Sequence, residues 1–235
     1  LHTLFPYTTL FRSIHAETAA SYLEFIDYAV NRQDEPLLRA RGYIVAGVLV
    51  QSISGSAFPT VALLDRTIKA IHEDDSEVVK VACIKAIQGF IKAPEGIPAD
   101  RQIPIAVAIS EFLNAKDLTE LEDSDDLLVT LVESLRAATQ LDYSIAIAPG
   151  SGVIDLLFLM AKHGAASFQL TVLVNETFED IVQSLSSRGA EGYIALCEKV
   201  MPSLTGALDV GSVTEDNPLT RSEEHTSELQ SPVLS

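Results

Sequence analysis

Between residues 18 and 210, apolar side chains recur at helical spacing in runs of about ten to twenty residues separated by short polar connectors. Strand-type alternation is scarce. The pattern predicts helices over 18–31, 35–53, 58–72, 76–92, 100–115, 125–141, 151–163, 167–187 and 190–210. Glycine and proline fall mostly between these runs, as at Pro94-Glu95-Gly96-Ile97-Pro98 and Pro149-Gly150, where they break helices.

A helical chain becomes a helical repeat only if it resembles itself at a fixed period. Asp34-Glu35-Pro36-Leu37-Leu38-Arg39 returns 41 positions later as Asp75-Ser76-Glu77-Val78-Val79-Lys80, with an acid, two adjacent aliphatics and a base. A weaker copy, Ser124-Asp125-Asp126-Leu127-Leu128-Val129, follows after 49 more and has Val129 in place of the base. The helix starting near Ser167 keeps the rhythm without the motif. These intervals bracket the ~40 to 47 residues of HEAT or armadillo units. The expected fold class is therefore all-α, a HEAT-repeat (ARM-like) helical solenoid.

The repeated residues suit a two-helix unit. Asp75 or Ser76 is placed to accept a hydrogen bond from the free N–H groups opening the 76–92 helix, and Glu77 complements its dipole. Along that helix Val78, Val79, Val81, Ala82, Cys83, Ala86, Ile87, Phe90 and Ile91 leave a narrow polar strip of Glu77, Lys80, Lys85, Gln88 and Lys92. A helix so apolar must be covered by neighbouring units, and Ala82 and Ala86 allow them close approach.

The chain has 235 residues, 47% of them hydrophobic, enough for a continuous core. Its ends read differently. Thr3–Ser13 (TLFPYTTLFRS) and Arg221–Ser231 (RSEEHTSELQS), traced back through the genetic code, match the two halves of a common sequencing-library adapter. Residues 1–13 and 221–235 are accordingly expected to be adapter artefact, leaving 14–220 as a solenoid fragment of about four repeats. The net charge of −17 belongs almost wholly to the interior, since these flanks hold only two arginines and three glutamates. Such a field repels nucleic acid and anionic membranes, favours basic protein partners, and also keeps a protein in solution. No apolar run reaches spanning length: Val153–Ala161 contains Asp155 and Tyr43–Val50 is short, so no membrane insertion is expected.

Catalytic chemistry is not legible. Gly150-Ser151-Gly152 lacks the third glycine of a dinucleotide fingerprint and the lysine of a phosphate loop, and reads as a plain loop. His15, His72 and His163 stand apart; the last two fall near helix C-termini, where histidine meets free carbonyls. Cys83 and Cys197 read as buried free thiols. Asn175-Glu176-Thr177 matches a glycosylation sequon inside an apolar-periodic helix. Glu73-Asp74-Asp75 suits a turn before a helix. No enzyme activity, cofactor or metal is expected.

The densest acidic run, Glu120, Glu122, Asp123, Asp125 and Asp126, lacks the order of an EF-hand. It reads either as a solvated loop or as a contact for a basic partner. Asp123, Asp125 and Asp126, with Glu133 two turns into the next helix, are the candidate protein-binding residues.

Leu38-Arg39-Ala40-Arg41-Gly42-Tyr43, Ser76–Phe90 (SEVVKVACIKAIQGF) and Asp125–Ala138 (DDLLVTLVESLRAA) together resemble the middle of the importin nine family, within the importin-β (karyopherin-β) superfamily, and a fungal member in particular. The resemblance spreads over most of 18–210. It implies a nuclear transport receptor that shuttles between cytoplasm and nucleus and engages basic cargo such as histones, the Ran GTPase and nuclear pore proteins. The amino-terminal Ran-binding repeats of that family are not in this stretch, and the Glu120–Asp126 run is not equated with its acidic insertion. A HEAT scaffold assembling a multiprotein complex shares the period and acidity but would not bind Ran. An enzyme would need its active site elsewhere.

Overall fold

A computed structural model describes residues 16–52, 58–115, 125–163 and 168–207. Among these residues every expected helix is present: α1 Ala16–Val30, α2 Pro36–Leu49, α3 Thr60–Glu73, α4 Glu77–Ile91, α5 Ala99–Asn114, α6 Asp125–Thr139, α7 Val153–His163, α8 Phe168–Ser187 and α9 Ala190–Ala207. The apolar pattern does not predict one further element, a 3-10 helix over Tyr143–Ile147 that opens where Asp142 accepts the Ser144 N–H at 3.0 Å. The described residues contain no strand. The helices fall into two compact units, one through Val153 and one from Ile154.

In the first unit, α2, α4 and α6 lie side by side in one layer, while α1, α3 and α5 form the other. Consecutive pairs therefore make three two-helix units of the expected HEAT type. The fourth position of the rhythm begins at α8, in the second unit. Central to the first unit is α4, whose Cys83, Ile84, Ile87 and Phe90 are fully buried between α2, α3 and α6. Each such large apolar side chain contributes roughly 1.5–3 kcal/mol on leaving water.

The closest helix contact is made by glycines, not by the alanines alone. A Cβ on Gly89 would lie 1.8 Å from the Gly47 carbonyl oxygen, and one on Gly47 would lie 2.7 Å from that of Ala86. Backbone meets backbone there, so α2 and α4 approach to a distance no side chain permits.

Several local expectations need correction. Neither Asp75 nor Ser76 caps α4 with its side chain; Ser76 is the N-cap residue, and Asp74 instead accepts the Ser76 N–H at 2.8 Å. The chain turns one residue earlier than the motif implied, which frees Asp74 for a second role described below. Val78, in the first turn of α4, is half exposed. Cys83 is buried as expected, but Cys197 is only half-buried on α9.

In the second unit, Phe158 and Phe178 meet edge to face at 5.7 Å, and Ser203 donates to Asp155 at 3.1 Å, joining α7 to α8 and α9. The sequon threonine, Thr177, is buried in α8 and donates to the Leu173 carbonyl. No described helix is long and apolar enough to cross a membrane.

Candidate protein-interaction site

The base closing the repeated motif proves to be the polar centre of the first unit. Arg39 is buried, and its guanidinium grips the Asp74 carboxylate with two prongs, Nε to Oδ2 at 3.1 Å and Nη2 to Oδ1 at 3.0 Å. Its remaining nitrogen, Nη1, donates to the Arg32 carbonyl at 2.8 Å and to the Gln33 carbonyl, both just past the end of α1. One side chain thus ties the turn of one repeat to the turn of the next. Arginine suits this place because its planar fork matches a carboxylate and leaves spare donors.

The equivalent positions grade away from this arrangement. Lys80, 41 residues on, reaches the His72 carbonyl at 3.4 Å. Val129, in the third copy, is buried and has no such chemistry. The repeat motif makes Arg39 and Lys80 visible; Asp74, which reads as a turn former, is the partner the sequence does not disclose.

Across the other layer, ion pairs link successive repeats. Arg66 of α3 meets Asp27 of α1 at 2.8 Å and Asn31 at 2.6 Å. Arg101 of α5 meets Asp65 of α3 at 2.8 Å and also pairs with Asp100. His72 faces Glu111 of α5 at 3.1 Å, so its partner is a carboxylate on the next repeat rather than a helix-end carbonyl. The hydrogen bond from Arg101 holds the Asp65 carboxyl below its ordinary range.

A groove of about 520 Å3 opens beside the clamp, lined by Tyr43, Arg66, Lys69, Glu73, Asp75 and their neighbours. Burial, reinforced by Cys83, pushes the Tyr43 phenol up to about 12, with Arg66 pulling the other way. Burial likewise raises the Cys83 thiol, with Asp74 adding to the effect. Both groups are held neutral. A smaller groove of about 360 Å3, lined by His72, Lys80, Glu111 and others, follows at the next repeat. Among the described residues no cluster of His, Cys, Asp or Glu is placed to hold a metal ion.

The proposed acidic surface is only partly within the described residues. Asp123 lies outside them, and Asp125 and Asp126 belong to the first turn of α6. Glu133 is exposed two turns further along that helix. An acidic residue in a first helical turn suits the positive end of the dipole and needs no ligand to explain it.

A family model described as the central HEAT repeats of importin-9 matches residues 5–165. Importin subunit beta-5 of Schizosaccharomyces pombe is 28% identical over 188 residues, 79% of this chain and 17% of that protein. Importin-9 of Drosophila melanogaster is 21% identical over 189 residues, 80% of this chain and 18% of that protein. The chain thus spans less than a fifth of the length of the curated relatives it matches. No solved structure matches it. With three stacked helix pairs inside a family match that covers well over half of its length, the chain belongs to the importin-9 family and carries central HEAT repeats of that family.

Proposed function

We propose that this chain is part of a nuclear import receptor that takes up basic protein cargo, histones among them, and carries it through the nuclear pore under RanGTP control. The observation that carries this reading is the importin-9 match over residues 5–165, which coincides with the stacked repeats α1 to α6. The net charge of −17 supports a basic client, because an extended acidic repeat surface attracts and screens positive charge. In this reading the protein is a binding receptor without catalytic activity, moving between cytoplasm and nucleus, with Ran and nuclear pore proteins as its other partners. Asp123, Asp125, Asp126 and Glu133 are the proposed electrostatic contacts for cargo.

The test uses the full-length receptor. Histone dimers should bind it, and RanGTP should bind it and change its affinity for them. Failure to bind either partner would reject the transport reading and favour a HEAT scaffold that assembles other proteins.

A further inference from the structure

The outward side of the α2, α4 and α6 layer is not uniformly acidic. On α2, Leu37, Arg41, Ile44 and Val48 follow one another at helical spacing along the exposed side. On α4 the exposed positions are Glu77 in the first turn, then Val78 and Lys85 seven residues apart on one side, with Lys92 seven further on, directly after the helix. Leu37 and Val78 are 65% and 51% exposed, and they occupy the same place in successive repeats, 41 residues apart. On the next helix, α6, Glu133 is exposed and Arg136 is half-buried.

The cations of this face also differ from those elsewhere in the first unit. Arg39, Arg66, Lys69 and Arg101 each meet a carboxylate, Arg32 lies over the Tyr28 ring, and Lys80 caps a carbonyl. Arg41, Lys85 and Lys92 form no ion pair among the described residues. In a chain with 33 acids to 16 bases, cations without an acid are unexpected, and these three share one face with exposed aliphatic side chains. An aliphatic centre edged by unpaired charge has the composition of a protein-binding surface, and its sign selects the partner.

We propose that the outward face of α2 and α4 binds a partner segment in which acidic side chains are interspersed with aliphatic or aromatic ones. Its carboxylates meet Arg41, Lys85 and Lys92, and its apolar side chains cover Leu37, Ile44, Val48 and Val78. Such a partner is the electrostatic opposite of a basic cargo.

Fluorescence anisotropy of the full-length receptor with a labelled peptide of interspersed Glu, Leu and Ser tests the proposal. Controls are the peptide with Lys for each Glu and a polyglutamate of equal charge. The Glu-Leu peptide should bind with an affinity that falls as salt rises, and polyglutamate should bind about tenfold more weakly. The Lys peptide should not bind. The triple variant Arg41→Glu, Lys85→Glu, Lys92→Glu should lose at least about tenfold in affinity while keeping its circular dichroism spectrum. The variant Leu37→Ser, Val78→Ser should weaken binding with the salt dependence retained, and it reads the same face independently should charge reversal disturb folding. Equal binding of the Glu and Lys peptides, or unchanged affinity in both variants, overturns the proposal. Loss of a self-associated species on charge reversal, without peptide binding, gives the face to a second copy of the chain and overturns it too. Tighter binding of a single-stranded RNA oligomer than of the peptide does the same.

Discussion

Gly89 of α4 rests directly on Gly47 of α2, leaving no space for a methyl group between the two backbones. Gly89→Ala should therefore cost about 3 kcal/mol or more, because overpacking against backbone cannot be relieved by a rotamer change. The gain in helix propensity, about 1 kcal/mol, does not offset that. Gly96 is the control: its φ is +68°, and no described atom lies within 4 Å of the place a methyl group would take. Gly96→Ala should cost only about 1 kcal/mol, from left-handed strain less the entropy removed from the unfolded chain. Chemical denaturation of the two variants checks the contrast.

The Arg39–Asp74 pair is largely shielded, with side-chain exposures of 7% and 13%. Asp74→Ala leaves a buried guanidinium unpaired and should destabilise by about 3–5 kcal/mol. The double variant Arg39→Met, Asp74→Ala should lose less than that single one, since the freed Arg32 and Gln33 carbonyls belong to exposed residues that water can reach. A double-mutant cycle with matched denaturation curves measures the coupling; simple additivity would contradict it.

Alkaline stability follows from the two groups held neutral. The folded state raises Tyr43 from 10.0 to about 12 and raises Cys83 above 9.0. Above those ordinary values the unfolded chain binds fewer protons than the folded one, so stability must fall as pH rises. Both contributions are fully present at neutral pH; that of Cys83 starts to decline near pH 9, and that of Tyr43 declines from about pH 10 and is lost as the phenol titrates near 12. Denaturation between pH 7 and 11 should show this slope, and Tyr43→Phe should flatten the part above about pH 10.

Charge reversal of the acidic candidates tests the cargo surface. Replacing Asp123, Asp125, Asp126 and Glu133 by Lys in the full-length receptor should weaken histone binding and reduce its salt dependence. Ran binding should be unaffected, which separates local electrostatics from misfolding. Unchanged cargo affinity and salt slope would remove these four residues from the interface.

The flanks allow a direct check on the transcript. Long reads across Thr3–Ser13 and Arg221–Ser231 should lack the adapter-matching codons and continue the frame into further helical repeats. The family match itself starts at residue 5 and overlaps the first flank, so the transcript decides which of those residues are protein. Persistence of both flanks in the cellular transcript would reject the adapter assignment.

The helices are legible in the sequence because apolar spacing and proline-glycine breaks are local properties. Even α5, which carries Pro104, reads as continuous and is so; the proline lies in its first half, where only one ladder bond is given up. The short turn at Tyr143–Ile147 leaves no periodic signal, being too brief to complete one. The polar contacts are legible only on one side. Arg39 stands out by repetition, whereas the place of Asp74 holds Gln33 in the first copy and Asp123 in the third, where the motif has lost its base, so no single copy of the motif displays the pair. Gly47 and Gly89 look locally like weak points in helices, and their purpose exists only once α2 lies on α4. The paired charges of α1, α3 and α5 likewise depend on which exposed residues adjacent repeats bring opposite one another, and helical periodicity does not specify that. Of the acidic candidates, Glu133 is exposed as its place in the pattern implies, while Asp123 lies outside the described residues.

Compliance along the stack is unevenly distributed as a result. Within the layer of α2 and α4, the first two repeats are fastened at two separated points, the guanidinium fork at their turns and the glycine contact near the C-terminal ends of the two helices. Two fastenings define an axis: a small rocking motion about it preserves both, whereas sliding one repeat past the other must break them. Between α4 and α6 a hydrogen bond from Gln88 to Ser134, at 2.9 Å, stands in for these, and Val129 replaces the fork. Within that layer, mechanical load on the stack would therefore produce shear first between α4 and α6.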